Sequence, residues 1–191
     1  MILVWILGDQ LLENHPALAL AEEQSERENI RVVLIESNWR SEKLPYHKHK
    51  LILLFSAMRH YAEMLQERGY TADYIRAENF TDGLQKAIEA HKPEQIITMA
   101  AADYKGRQFQ EEKLSEITEL PVEVIPNRQF LLSEHNPYPD YNPDKRYVME
   151  YFYRDMRKHF DVLMDGDKPV DGQWNFDKQN RKPLPKDIEL P

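Results

Sequence analysis

Five short apolar runs, separated by helix-patterned stretches, constrain this chain more than any other feature. Ile2–Leu7 is cut off by Gly8-Asp9, and Val32–Ile35 ends at Glu36. Tyr70–Ile75 follows Gly69, Gln95–Ala100 follows Lys92-Pro93, and Val122–Ile125 lies between Pro121 and Pro126. Runs of this length bounded by turn residues read as strands buried on both faces.

Between them fall helical patterns. His47–Arg68 is the strongest, with Leu51, Leu54, Phe55, Met58, Ala62 and Leu65 at i, i+3, i+4, i+7 spacing. Ile52, Leu53, Ala57 and Met64 lie off that stripe and are apolar too, so this helix is expected to be covered on two sides. Thr81 is the expected N-cap of a helix over Asp82–His91, weakened by Gly83. Arg107–Ile117 reads as a polar helix with one apolar edge at Phe109, Leu114 and Ile117.

Strands alternating with helices imply βαβ units and a parallel sheet. The expected fold is α/β, a Rossmann-like, doubly wound, five-stranded parallel sheet, followed by a C-terminal helix and an extended interdomain tail. The glycine-rich dinucleotide fingerprint is missing, since only Gly8 follows the first strand, so a standard dinucleotide site is not expected.

Past Pro126 the style changes. Ser133–Asp144 holds three prolines and reads as a surface loop. Arg146–Phe160 is an expected helix, with Met149, Phe152, Tyr153, Met156 and Phe160 on one face and Tyr147, Tyr151, Arg154 and Lys158 on the other. After it come scattered anchors without periodicity: Val170, Trp174, Phe176, Leu184 and Ile188. The expected organisation is an α/β domain over 1–132, a loop and helix over 133–160, and a linker from 161 to 191. No finishing element closes the sequence, which suggests a piece of something longer.

The chain contains no cysteine, which excludes disulfides and cysteine-held metal clusters from it. The apolar start is too short and lacks the basic lead of a signal peptide or membrane span, so a cytoplasmic protein without membrane contact is expected. A net charge of −8 argues against tight nucleic-acid binding by this piece alone.

In open α/β sheets, ligands bind at the carboxyl ends of the strands. That edge supplies Gly8, Asp9 and Gln10, then Glu36-Ser37-Asn38, then Ala100–Asp103. Gly8 would let a ligand approach the backbone, while Asp9, Gln10 and Glu36 could hydrogen-bond hydroxyls or ring nitrogens. The plainer alternatives are that Asp9 caps the next turn and Glu36 is a solvated strand end. His47 and His49 are two residues apart and expected to point to different sides, so no metal site is expected there, and capping or solvated roles are preferred. Trp174-Asn175-Phe176 reads as a hydrophobic anchor or, less simply, a stacking platform. The groups Arg154, Arg157, Lys158 and Lys178, Arg181, Lys182 could touch phosphate or balance carboxylates.

Five segments carry more: ILGDQL (6–11), HKHKLILLFSAMRHYAEML (47–65), NRQFLLS (127–133), MEYFYRDMRKHFDVLMDGDKP (149–169) and DGQWNFDKQNR (171–181). Together they resemble the deoxyribodipyrimidine photolyase-related proteins, the prokaryotic (6-4) photolyases and iron–sulfur bacterial cryptochromes. The resemblance implies an N-terminal antenna domain. The FAD, the 4Fe–4S cluster and the damaged-DNA pocket would then lie in a C-terminal domain that is not part of this chain and would be its partner. It further implies 6,7-dimethyl-8-ribityllumazine as antenna chromophore, with Gly8, Asp9 and Gln10 in the first loop, Glu36 at the second strand end, and Leu54 and Met58 on the long helix as its contacts. Alone, the piece would lack repair activity. Asn38–Tyr46 departs from the family pattern, with Trp39 and Arg40 where smaller or acidic residues are usual. The alternatives are a stand-alone nucleotide-binding protein and a structural domain with an empty pocket.

Overall fold

Ile2–Ile6 (β1) is buried along its whole length, and its five side chains alternate between the two faces of a sheet. The computed structural model describes residues 1–177. Lys178, Arg181, Lys182, Leu184 and Ile188, with the last part of the expected linker, lie outside the described residues.

β1 pairs in parallel with β2 (Ile30–Ser37) on one side and with β4 (Gln95–Met99) on the other. Ile2 lies opposite Ile30 in the first pairing and opposite Gln95 in the second. β3 (Thr71–Ala77) extends the sheet beyond β2, and β5 (Val122–Ile125) extends it beyond β4, both in parallel. The order is β3-β2-β1-β4-β5, the expected α/β architecture. Chain order reverses at β1, so the crevice between β1 and β4 is the switch point where ligands of such sheets bind.

Helices cover both faces. On one, α1 (Pro16–Gln24) and α3 (Lys48–Glu67) pack Ala17, Leu18, Ala21, Met58, Tyr61, Ala62 and Leu65 onto Ile2, Val4, Ile6, Val32 and Leu34. On the other, α4 (Phe80–His91), α5 (Tyr104–Glu112) and α6 (Leu114–Thr118) cover Leu3, Trp5, Val33 and Ile35. A short helix, α2 (Asn38–Glu42), follows β2. Neither α1 nor α2 is evident from periodicity. α1 is short and begins at Pro16 behind an unusual cap, His15, whose Nδ1 accepts from the Ala17 N–H at 3.2 Å.

Several expectations about the helices are corrected. The cap of α4 is Asn79, not Thr81: its Oδ1 accepts from the Asp82 N–H at 2.9 Å, and the helix starts at Phe80. Gly83 serves close packing, because a Cβ there would come within 2.6 Å of Ile35 Cγ2. The Arg107–Ile117 helix is two helices broken at Lys113, and the first begins at Tyr104 behind Asp103, which accepts from the Gly106 N–H at 2.9 Å. α3 is covered on one side only among the described residues, with Ile52 and Leu53 59% and 72% exposed.

The chain divides into two compact units, Met1–Ser133 and a second beginning at Glu134. In the second, α7 (Met149–His159) is followed by a two-residue hairpin of β6 (Met164–Asp165) and β7 (Lys168–Pro169). Of the expected apolar face of α7, Phe152, Met156 and Phe160 are partly buried, whereas Tyr153 is exposed. Met149 is 75% exposed, and the buried residue is Arg157. That guanidinium donates to the Val162 carbonyl at 2.9 Å, to the Trp174 carbonyl at 3.2 Å and to the Leu163 carbonyl. It also lies over the rings of Tyr153 and Trp174. A rigid fork of donors can gather three carbonyls that no apolar side chain could satisfy. Arg154 instead pairs with Glu150, one turn back, at 2.8 Å.

Candidate functional site at the carboxyl edge of the sheet

Beyond Ile6 the chain turns sharply, and the Gln10 N–H returns to the Leu7 carbonyl at 2.9 Å. Gly8 sits in this turn against α3. A Cβ at Gly8 would lie 2.7 Å from Met58 Sδ, so the missing side chain makes room for the methionine sulfur. Met58 is buried, and Leu54, one turn earlier on the same helix, packs against the same core.

Gln10 points the other way, into the switch point. It is fully buried, and its Nε2 donates to the carbonyls of Met99 at 3.2 Å and Ala100 at 3.0 Å. These bonds orient the amide, leaving Oε1 as a buried acceptor with no partner among the described residues. Buried polar groups normally find partners, so an orphaned acceptor here asks for a donor. Asp9 between them is exposed. Its carboxylate makes no hydrogen bond among the described residues and does not cap the turn, while its carbonyl accepts from Gln129 Nε2.

Residues that sequence reasoning missed stiffen this edge. Gln110 of α5 donates to Met99 O at 3.1 Å and to Thr98 Oγ1 at 3.0 Å, and accepts from the Ala101 N–H at 2.7 Å. Asn127 donates to the Ala100 carbonyl at 2.8 Å. The loops after β1, β4 and β5 are thereby tied into one frame. No spacing rule announces such glutamines and asparagines, because their partners are backbone groups brought in by the sheet.

Glu36 is the last residue but one of β2, two beyond Leu34, the partner of Ile6, so it shares the α3 face with Gly8. It is not a solvated strand end. Its Oε2 accepts from Arg59 of α3 at 2.7 Å and from the Tyr74 hydroxyl of β3, with Arg76 Nε at 3.7 Å. Burial, and then the hydrogen bond and charge of Glu36, push the Tyr74 hydroxyl well above the ordinary tyrosine range. Gly8, Leu54, Met58 and Glu36 therefore gather on one face of the edge. Gln10 closes the β1–β4 crevice, and Asp9 stands outside both.

At the mouth of the same edge, Arg40 Nη2 lies 3.7 Å from Asp103 Oδ2. Trp39 is exposed and carries the Lys43 ammonium over its ring at 5.2 Å. His47 caps α3, its Nδ1 accepting from the His49 N–H at 3.2 Å. The two imidazoles do not diverge as expected but meet edge to face at 4.8 Å. No helix among the described residues is long and apolar enough to cross a membrane.

Comparison with known proteins places these residues in a wider context. The chain matches the family described as deoxyribodipyrimidine photo-lyase-related protein over residues 4–191. It is 34% identical over 196 aligned residues to a (6-4) photolyase of Agrobacterium fabrum, an alignment covering 99% of this chain and 38% of that protein. It is 26% identical over 167 residues to an uncharacterized protein of Acanthamoeba polyphaga mimivirus, covering 76% of each. The chain thus spans well under half the length of the photolyase it matches.

Proposed function

The chain belongs to the deoxyribodipyrimidine photolyase-related proteins, and on that premise we propose that it is the antenna-chromophore domain of a flavoprotein serving light-dependent DNA repair or blue-light reception. In this reading 6,7-dimethyl-8-ribityllumazine binds at the carboxyl edge of the sheet. FAD and a 4Fe–4S cluster belong to a further domain, the chain's partner, through which damaged DNA is engaged. When bound, such a chromophore would supply absorption of near-ultraviolet and blue light for excitation transfer to the flavin.

The observation that carries the reading is the orphaned acceptor of Gln10, buried at the switch point of the sheet. A ribityl chain is a row of hydroxyl donors, and Gln10 Oε1 and the exposed Asp9 carboxylate, both without a hydrogen-bond partner among the described residues, are acceptors suited to it. Glu36, held by Arg59 and Tyr74, presents a fixed carboxylate rather than a mobile one. Leu54 and Met58 provide the apolar wall that a flat ring system needs, in keeping with small-molecule sites that are mostly apolar with a few placed polar groups. Binding here orients the ring and excludes water, and the chain performs no bond chemistry itself.

Titrating the purified chain with the lumazine tests this. The expected result is a red-shifted absorbance and quenched lumazine fluorescence, both weakened in Asp9→Ala while the circular dichroism of the fold is unchanged. The position of Met58 against Gly8 favours a second reading, a structural domain whose pocket is filled by its own side chain. An unchanged lumazine spectrum would select that reading. A thermal shift with ATP and none with lumazine would select a nucleotide-binding protein instead.

A further inference from the structure

The second unit holds an open groove of about 410 Å³ between the loop before α7 and the first turn of that helix. Pro137, Tyr138, Tyr147 and Tyr151 supply its walls, and Lys145 and Arg146 stand at its rim. Its size is within the range of small-ligand sites. It shares no residue with the carboxyl edge of the sheet.

Two of the tyrosines are held in place. Tyr138 and Tyr147 meet edge to face, with centroids 4.9 Å apart, and the Tyr147 oxygen accepts from the Asn142 N–H at 2.8 Å. The Tyr138 N–H is bonded in turn to Asn136 Oδ1 at 2.9 Å. Tyr151 is 64% exposed and pairs with no other ring among the described residues. The side chains of Lys145 and Arg146 make no ion pair, hydrogen bond or ring contact among the described residues, in a chain whose net charge is −8. Asp140 is the one carboxylate lining the groove.

Fixed aromatic walls favour a planar ring, and two unpaired cations favour an anion. A nucleotide unites the two, because every base has a face to stack and every phosphate a charge to neutralise. We propose that this groove binds a nucleotide, presented by a single nucleic-acid strand, with the base against the tyrosines and the phosphates on Lys145 and Arg146. Lacking hydrogen-bond readers at a fixed spacing, the site is indifferent to sequence. The acidic remainder of the chain keeps the binding weak and dependent on salt.

The test is fluorescence anisotropy of the whole chain with a labelled oligothymidylate at low salt, with thymidine monophosphate as competitor. Binding is expected, with a log–log salt slope of about −1.4, for two phosphates at about −0.7 each on a single strand. Lys145→Ala with Arg146→Ala should flatten that slope. Tyr151→Ala should weaken binding by about 5- to 160-fold with little change in slope. All three residues are exposed, so circular dichroism should show the fold retained. If the monophosphate competes as well as the strand, the groove takes free nucleotides, and the nucleotide assignment stands with that source. Absence of binding to both at low salt overturns the proposal. So does binding that survives the groove variants unchanged.

Discussion

Arg59 of α3 reaches across to the end of β2 and donates to Glu36 Oε2 at 2.7 Å. The same oxygen takes the Tyr74 hydroxyl from β3, and the Arg59 guanidinium lies 5.0 Å from the Tyr74 ring centroid. One carboxylate thus joins a helix and two strands. Glu36→Ala should lower stability by about 1.5–3 kcal/mol, the usual worth of hydrogen bonds to a charged group. Its more specific consequence is electrostatic. Without the carboxylate, the Tyr74 hydroxyl loses the partner that favours its neutral form, and should ionise at lower pH in an alkaline absorbance titration. An unchanged titration would leave burial as the whole cause of its raised pKa.

Gly8 and Met58 should behave as a coupled pair. A Cβ at Gly8 intrudes on a buried sulfur, and overpacking of this kind costs about 1–3 kcal/mol. Gly8→Ala should therefore destabilise the wild type in urea unfolding and cost markedly less in a Met58→Ala background. Additive costs in the double-mutant cycle would refute the contact.

His15 makes the first unit sensitive to acid. Burial lowers its pKa from 6.5 to about 4, so the folded protein holds the imidazole neutral. The unfolded chain binds a proton that the folded state refuses between those values. Stability is therefore full above about pH 6.5 and falls as the pH drops towards 4, by up to ~3 kcal/mol. His15→Asn keeps a side-chain acceptor for the Ala17 N–H and removes the titrating group. Its stability should vary less across that pH window, as measured by chemical unfolding at a series of pH values.

Arg157 should be irreplaceable by lysine. An ammonium keeps the charge but cannot spread over three carbonyls and two rings at once. Arg157→Lys should destabilise the second unit by about 2–3 kcal/mol, seen as faster hydrogen exchange of the α7 amides while those of β1 are unchanged. Equal protection in α7 would show that the fork geometry is dispensable.

How far the sequence is legible depends on how local the cause is. The strand centres and α3 are visible because burial imposes a period of two or 3.6 on neighbouring residues. Boundaries depend on competing caps: Asn79 and Thr81 are both good capping residues, and the backbone conformation at Asn79 decides between them. Gly83 looks like a weakness in its helix until Ile35 is seen pressed against it. Among the proposed contact residues, the grouping of Gly8, Leu54, Met58 and Glu36 follows from strand register and helix period. The engagement of Glu36 by Arg59 and Tyr74 does not, because those partners lie 23 and 38 residues away.

By itself, the sequence determined the alternating α/β plan, the place of the carboxyl edge and the family to which the chain belongs, since each is written in local pattern or in motif order. Only the tertiary structure decided which polar groups are buried and what satisfies them. From the sequence, Gln10 reads as a ligand contact, Arg157 as one of a basic group and Gln110 as part of a polar helix, yet each is buried and donates to backbone carbonyls. A buried donor is fixed by the acceptors that surround it, and those arrive from distant segments once the sheet and helices have packed.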